Sequence, residues 1–273
     1  MVVISDVHLG TYGCHARELT AYLKSIKPKT LVLNGDIIAI WQFSKRYWPS
    51  SHMKVVKELM NILGKGTKVY YVTGNHDELL RRFEGFRLGS FRIVNKVVLE
   101  LQDETKAWIF HGDVFDVTMQ HSRWLARLGA IGYDILILIN RMANFFSEKI
   151  FRKGKLSLSR QIKDSVKSAV KFINNFEQTA ADIGIANGYN YVVCGHIHQP
   201  EIRVISNPNG SILYLNSGDW VENLTALEYN AGQWSLQRYN QADMPEDDLT
   251  ETDPDASSLF NNMLEEFKLL KSS

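Results

Sequence analysis

Val2-Val3-Ile4-Ser5-Asp6-Val7-His8 is a β-branched, apolar run that passes at once into an aspartate and a histidine. Four other segments repeat that layout: Leu33-Asn34-Gly35-Asp36, Thr73-Gly74-Asn75-His76-Asp77, Phe110-His111-Gly112-Asp113 and Cys194-Gly195-His196-Ile197-His198. In open α/β sheets, ligand-binding groups gather at the carboxyl ends of strands. The five segments are therefore expected to converge on one rim. Four of them hold a glycine beside the polar residue, which lets the backbone turn sharply and approach a bound ion.

Working outward, apolar strand-like runs alternate with helical patterns. Val2 to Ser5 precedes Glu18 to Ser25, Thr30 to Leu33 precedes Met53 to Leu63, and Lys68 to Val72 follows. This alternation predicts an α/β layered fold. Further strands are expected at Val97 to Leu101, Ala107 to Phe110, Tyr191 to Cys194, Arg203 to Ser206, Ile212 to Asn216, Thr225 to Tyr229 and Gln233 to Tyr239. Turn-like links such as Asn207-Pro208-Asn209-Gly210 join several of them and predict a partly antiparallel sheet.

Between these blocks the pattern changes. Residues 1–116 and 188–240 read as the core, and 117–187 as a helical cap insertion with no strand signal. The cap is basic, with eleven Lys and Arg against five Asp and Glu between Val117 and Asn187. Residues 241–273 read as an acidic, Pro-containing linker followed by an amphipathic helix from Ser257 to Leu270.

The 273-residue chain has a formal net charge of +1 and 45% hydrophobic residues, an ordinary globular composition. It lacks the features of a secretory signal, and its longest apolar run, Ile135 to Ile139, is far too short to span a bilayer. A cytoplasmic protein is expected. Its two cysteines, Cys14 and Cys194, do not suggest a disulfide framework.

Five of the eight histidines, His8, His76, His111, His196 and His198, fall in the five polar segments. One histidine alone would read as a hydrogen-bonded core or turn residue; five together read as a metal centre. Carboxylates, imidazoles and a carboxamide without thiolates favour Mn, Fe or Zn over a structural cysteine-based zinc site. Asp6 and His8 alternate at a strand end and so should point the same way, holding one ion with His198. Asn75, His111 and His196 would hold the second, with Asp36 bridging.

These segments resemble the five ordered motifs of the calcineurin-like metallophosphoesterases, D-x-H, G-D, G-N-H-[DE], H-G and G-H-x-H, over roughly Met1 to Tyr239. The resemblance implies a four-layer α/β/β/α sandwich with a dinuclear centre, manganese being the expected metal and iron or zinc the alternatives. It assigns Asp6, His8, Asp36 and His198 to one ion, and Asp36, Asn75, His111 and His196 to the other. His76 would stabilise charge or protonate the leaving oxygen, oriented by Asp77, with Asn75 beside it. Two such ions generate a hydroxide and stabilise the charge that develops on phosphorus.

Within that superfamily the chain looks most like the UDP-2,3-diacylglucosamine diphosphatases of lipid A synthesis. The likeness rests on Asp36-Ile37-Ile38-Ala39-Ile40-Trp41, Gly74-Asn75-His76-Asp77-Glu78, His111-Gly112-Asp113-Val114-Phe115-Asp116 and the placement of the insertion. It implies a lipid-nucleotide substrate touching Asn75, His76, Asp116, Lys163 and Lys167, and peripheral contact with the inner face of the cytoplasmic membrane. The best-known branch usually carries arginine at the position of His76.

Ile162, Val166, Ala169, Val170 and Ile173 form an apolar helix face beside Lys163, Lys167 and Lys171, suited either to an acyl chain or to the body of the protein. Trp124, Leu125, Leu128, Ile131, Ile135, Leu138 and Ile139 suit a helix-pair core or a lipid slot. Trp41, Phe43, Tyr47 and Trp48 would wall the pocket or join the core. The other readings are the same chemistry on a soluble nucleotide, a cyclic nucleotide or a phosphoprotein, and a non-catalytic scaffold. A nucleic-acid substrate is not expected, because the acidic tail would repel a phosphate backbone.

Overall fold

Along three of the parallel strands, apolar residues face alternately two ways, and each face has its own core. In β1 (Val2–Ile4), Val2 and Ile4 pack into one cluster and Val3 into another; in β2 (Thr30–Asn34), Leu31 and Leu33 separate from Val32 in the same way. In β3 (Lys68–Val72), Val69 and Tyr71 lie on one side and Tyr70 and Val72 on the other. This is the two-residue side-chain period of a strand buried on both faces.

The computed structural model describes residues 1–40, 47–101, 104–115, 173 and 175–240. Two mixed sheets run through them. The first has seven strands in the order β12-β11-β1-β2-β3-β5-β4, where β4 is Arg87–Leu88, β5 is Phe91–Val94, β11 is Thr225–Asn230 and β12 is Gln233–Arg238. The second has five in the order β6-β7-β8-β10-β9, formed by Lys96–Glu100, Lys106–Phe110, Tyr191–Cys194, Gly210–Asn216 and Glu201–Asn207 respectively. β1, β2 and β3 run parallel, whereas the β9/β10 and β11/β12 pairs are antiparallel, as their short links predict.

Helices α1 (Ala16–Ser25) and α2 (Ser50–Gly64) cover the outer face of the seven-stranded sheet. Leu19 and Leu23 of α1, with Val55 and Ile62 of α2, meet Ile4, Leu31 and Leu33 there. Each such side chain removed from water contributes roughly 1.5–3 kcal/mol. Between the sheets, Val3, Val32 and Val72 meet Ala107, Ile109, Val193 and Leu215. On the far side, Trp108, Phe110, Val192, Cys194, Ile212 and Tyr214 pack under Phe176, Ala180 and Ala181 of α3, residues 175–186. Three cores separate four layers, an α/β/β/α sandwich.

Two expectations change. Residues 175–186 belong to this sandwich rather than to the insertion: Phe176, Ala180 and Ala181 recur at helical spacing and close the second sheet. A short hairpin, β4 to β5, was not expected; it is rich in Arg and Gly and has little strand-like alternation. Of the residues expected to form a cap, 117–172 and 174 lie outside the described residues, as do residues 241–273.

Candidate active site

The five polar segments leave the carboxyl ends of β1, β2, β3, β7 and β8, and the first two are zipped together beyond their strands. Asp6 N–H donates to the Gly35 carbonyl at 3.0 Å, and Val7 and His8 N–H both donate to the Asp36 carbonyl, at 3.0 and 2.9 Å. Asp6 and His8 are not strand-alternating residues. Both adopt a left-handed backbone, φ 52° and 55°, which brings their side chains together while the intervening Val7 enters the helix-side core.

Left-handed backbone recurs at three more residues of the site. Asp36 (φ 53°), His196 (65°) and His198 (55°) share it, whereas among the described residues only Glu104, Leu224 and Ala231 do so elsewhere without being glycine. An L-residue held there costs roughly 1–2 kcal/mol, and such strain concentrates where function over-determines geometry.

Two glycines make room for the side chains of His111 and Asp36. A Cβ on Gly35, whose φ is +82°, would stand 2.3 Å from Nδ1 of His111, and one on Gly74 would stand 2.2 Å from Oδ1 of Asp36. Neither clash can be relieved by a flexible surface chain.

Each carboxylate is anchored by one oxygen. Asp6 Oδ2 accepts the His196 N–H at 3.0 Å, and Asp36 Oδ1 accepts the His76 N–H at 2.8 Å. The opposite oxygens face imidazoles: Asp6 Oδ1 lies 3.0 Å from His198 Nε2, and Asp36 Oδ2 lies 3.3 Å from His111 Nε2 and 3.9 Å from His76 Nε2. His111 Nδ1 meets the Asn34 carbonyl at 2.9 Å. A carbonyl only accepts, so Nδ1 carries a proton and Nε2 is the nitrogen turned inward.

Ligand atoms of Asp6, His8 and His198 lie within 4.8 Å of one another, as do those of Asp36, His111 and His196, and those of His8, Asp36 and His76. The fit to a cation is tested by what is left over: Nε2 of both His8 and His111 is buried and has no hydrogen-bond partner. Orphaned buried nitrogens are costly, and two near-fully buried carboxylates beside them need positive charge. Divalent ions supply it, and they find only hard and intermediate O and N donors here.

The electrostatics agree. Burial alone would raise Asp6, but His198 and His111 hold it down at about 2. Burial works likewise on Asp36, and His111 keeps it well below the usual carboxylate range. His8, pushed down to about 3 by burial, stays neutral. His198 rises to about 9 because Asp6 outweighs its burial. These are the titrations of a cluster in which protons occupy the places of metal ions.

His76 packs edge-on against His8 with ring centroids 4.6 Å apart, and its Nδ1 is buried without a partner. Burial lowers its pKa. Asp77 does not bond this ring, contrary to the orienting role implied by the motif. Its Oδ2 accepts Tyr71 O–H at 2.7 Å and Ile37 N–H at 3.0 Å, and its Oδ1 accepts Gly74 N–H at 2.6 Å. It thereby clamps the Gly74 loop to the Asp36 loop, and burial raises it to about 6. Asn75 lies half-buried in that loop.

Asp116, Lys163 and Lys167 lie outside the described residues, as do Trp41 and Phe43. Of the aromatic loop, Trp48 packs on the helix-side core and Tyr47 lies 3.9 Å, centroid to centroid, from Tyr12. Buried His52 is a structural histidine: its Nδ1 accepts the Gly10 N–H at 3.0 Å.

Sequence reasoning missed Asp219. Fully buried, it accepts three backbone N–H groups of residues 221–223 on Oδ1 and the Asn223 amide on Oδ2, which also lies 3.9 Å from His198 Nδ1. The same Asn223 amide donates to the His198 carbonyl at 2.9 Å. The signal was present, since β10 ends in Asn216-Ser217-Gly218-Asp219, the same strand-then-polar layout. Arg81, which pairs with Asp113, was missed too.

A two-sheet sandwich carrying such a cluster on one rim defines a metal-dependent phosphoester hydrolase. The chain belongs to the calcineurin-like phosphoesterase family, whose model matches residues 1–200. Membership implies divalent metal ions.

Among its relatives, the UDP-2,3-diacylglucosamine hydrolase of Blochmanniella pennsylvanica is 23% identical, over 84% of this chain and 92% of that one. The protein of the same name from Stenotrophomonas maltophilia is 25% identical, over 85% and 96%. Among solved structures, a dimetal phosphatase from Danio rerio aligns with a TM-score of 0.42 at 13% identity, over 87% of this chain and 94% of that one.

Proposed function

We propose that this enzyme hydrolyses the pyrophosphate bond of UDP-2,3-diacylglucosamine, releasing UMP and 2,3-diacylglucosamine 1-phosphate. The observation that carries the substrate is the likeness to hydrolases of that name along nearly the whole of both chains.

In this reading Asp6, His8, Asp36 and His198 hold one ion, and Asp36, Asn75, His111 and His196 the other, manganese being the expected metal. When bound, such ions acidify water and offset charge on the phosphoryl oxygens. The residues of the chain do the rest. Asp36, between the two groups, holds them in register through its bond to His76 N–H. His76, neutral through burial, offers an N–H to a phosphoryl or leaving oxygen, and Asn75 contacts the same group.

Asp116, Lys163 and Lys167 would bind the substrate, and its acyl chains would bring the enzyme to the inner face of the cytoplasmic membrane. Among the described residues no helix is long and apolar enough to cross a membrane. Residues 117–172 would form the cap and 241–273 the linker and terminal helix.

Purified protein with Mn²⁺ and UDP-2,3-diacylglucosamine should yield UMP and the lipid monophosphate in equal amounts. No turnover there, with brisk turnover of another phosphoester, overturns the reading. A soluble nucleotide, cyclic nucleotide or phosphoprotein is the second reading. It is favoured by His76, which stands where the best-known lipid A branch usually has arginine.

A further inference from the structure

Residues 82–89, Arg-Phe-Glu-Gly-Phe-Arg-Leu-Gly, form the longest unbroken exposed stretch among the described residues. Phe83 is 56% exposed, Phe86 48% and Leu88 61%, and Leu79 on the preceding 3-10 turn (Glu78–Phe83) is exposed as well. Scattered exposed apolar residues need no explanation, but several on one short hairpin mark a contact surface.

The backbone beneath them is already satisfied. Phe86 N–H donates to the Phe83 carbonyl at 2.9 Å, Gly85 N–H to Ile93 at 2.9 Å, and Ile93 N–H returns to Phe86 at 3.1 Å. A hairpin closed in this way can leave water without stranding its peptide groups. β4 is only two residues long, too short an edge for a partner strand to add to.

The charge on the hairpin selects the partner. Arg87 stands directly opposite Arg92 in the β4–β5 pair, and like charges so placed destabilise a ladder unless an anion joins them. The Arg92 guanidinium lies over the Tyr70 ring, 5.8 Å from its centroid. Among the described residues no carboxylate pairs with Arg82, Arg87 or Arg92, and Glu84 is engaged by Asn95. Phenylalanines beside unpaired arginines match a bilayer whose headgroups carry negative charge.

The hairpin also adjoins the catalytic rim. Its 3-10 turn begins immediately after Asp77, and Arg81 of that turn pairs with Asp113 in the His111 segment.

We propose that the hairpin from Arg82 to Arg92 docks the enzyme on an anionic lipid surface. Phe83, Phe86 and Leu88 enter the headgroup region, and Arg82, Arg87 and Arg92 meet lipid phosphates. This assigns a surface to the membrane contact stated above, and it stands whichever phosphoester is cleaved, because binding is read without turnover.

The test uses the full chain and sedimentation with vesicles of phosphatidylcholine alone, or with roughly one third phosphatidylglycerol, near physiological salt. Wild type should partition onto the anionic vesicles and weakly onto the neutral ones. The double variant Phe83→Ser/Phe86→Ser should lose on the order of tenfold in partition per side chain. Arg82→Gln/Arg87→Gln should lose about fivefold per charge and flatten the salt dependence. Both variants should hydrolyse soluble bis(p-nitrophenyl) phosphate like wild type, showing that fold and metal centre are intact.

Wild type that ignores anionic vesicles, or variants that bind them equally well, overturns the proposal. So does a wild-type dimer, free of vesicles, that the phenylalanine variant turns into a monomer, since a second copy would then be the occupant.

Discussion

His111 donates Nδ1–H to the Asn34 carbonyl across 2.9 Å, and this turns its Nε2 toward Asp36 Oδ2 at 3.3 Å. A backbone acceptor on β2 thus orients the ring of a proposed ligand that follows β7, so the two sheets must pack before the cluster exists. This is the outer hydrogen bond that metal-binding histidines usually make.

His111→Ala removes one ligand and the anchor together. Bound metal should fall from two ions to one per chain, and turnover by on the order of a thousandfold, the few kcal/mol of charge stabilisation that an ion supplies. Elemental analysis beside steady-state rates checks this. Two retained ions with near-normal turnover would remove His111 from the ligand set.

Gly35→Ala perturbs the site without replacing any residue of the proposed ligand set. Its Cβ would meet the His111 ring at 2.3 Å, and its φ of +82° already disfavours any L-residue. The left-handed backbone alone should cost roughly 1–2 kcal/mol of stability, and displacing His111 should weaken metal binding further. Thermal unfolding with and without Mn²⁺ separates the two effects. The gain in melting temperature on adding metal should shrink sharply in the variant, whereas a purely backbone effect would leave that gain intact.

Asp219→Asn tests a carboxylate that stands behind a ligand rather than on the ion. Asparagine can keep Oδ1 as the acceptor for residues 221–223, so the turn should survive, while the Asn223 amide loses its acceptor on Oδ2 and the negative charge behind His198 is lost. Metal affinity should fall by about 10–100-fold, the usual effect of removing such a partner. Calorimetric titration with Mn²⁺ reads it directly. Unchanged affinity would leave Asp219 as a cap and nothing more.

How much was legible follows from which forces leave a trace in one sequence. Burial does: the alternation of Val2, Val3 and Ile4, or of Leu31, Val32 and Leu33, reports a strand packed on both sides, and the structure separates those residues between two cores. Residue chemistry does too, since Asp and His at successive strand ends cluster in three groups within 4.8 Å.

Backbone hand does not. Nothing in the hydropathy of Ser5-Asp6-Val7-His8 shows that Asp6 and His8 turn left-handed, so strand alternation pointed to the right neighbourhood for the wrong reason. Partnership is also hidden. The helical pattern of 175–186 continues that of the insertion, and only Trp108, Phe110 and Tyr214 beneath it show which body it belongs to. The family resemblance made Asp77 the partner that orients His76, yet its oxygens are taken by Tyr71, Gly74 and Ile37.

Metal binding should depend on pH through His198. In the metal-free protein Asp6 raises that imidazole from its ordinary value of 6.5 to about 9, so at pH 7 it holds a proton that an incoming ion must displace. His111 is raised in the same way, Asp36 and Asp6 outweighing its burial.

The sign follows from this competition. Affinity is weakened by protonation everywhere below the folded pKa, so the apparent affinity of this site for Mn²⁺ should climb with pH up to about 9, where the contribution of His198 levels off. For stability the same shift runs the other way. The Asp6–His198 pair contributes fully below pH 6.5 in the metal-free protein, and that contribution is lost as pH rises through about 9.

Titration calorimetry at pH 7 in two buffers of different ionisation heat should therefore show protons released on binding, and near pH 10 the share that His198 releases should vanish. Binding that releases no proton at pH 7 would place the ion away from His198 and His111.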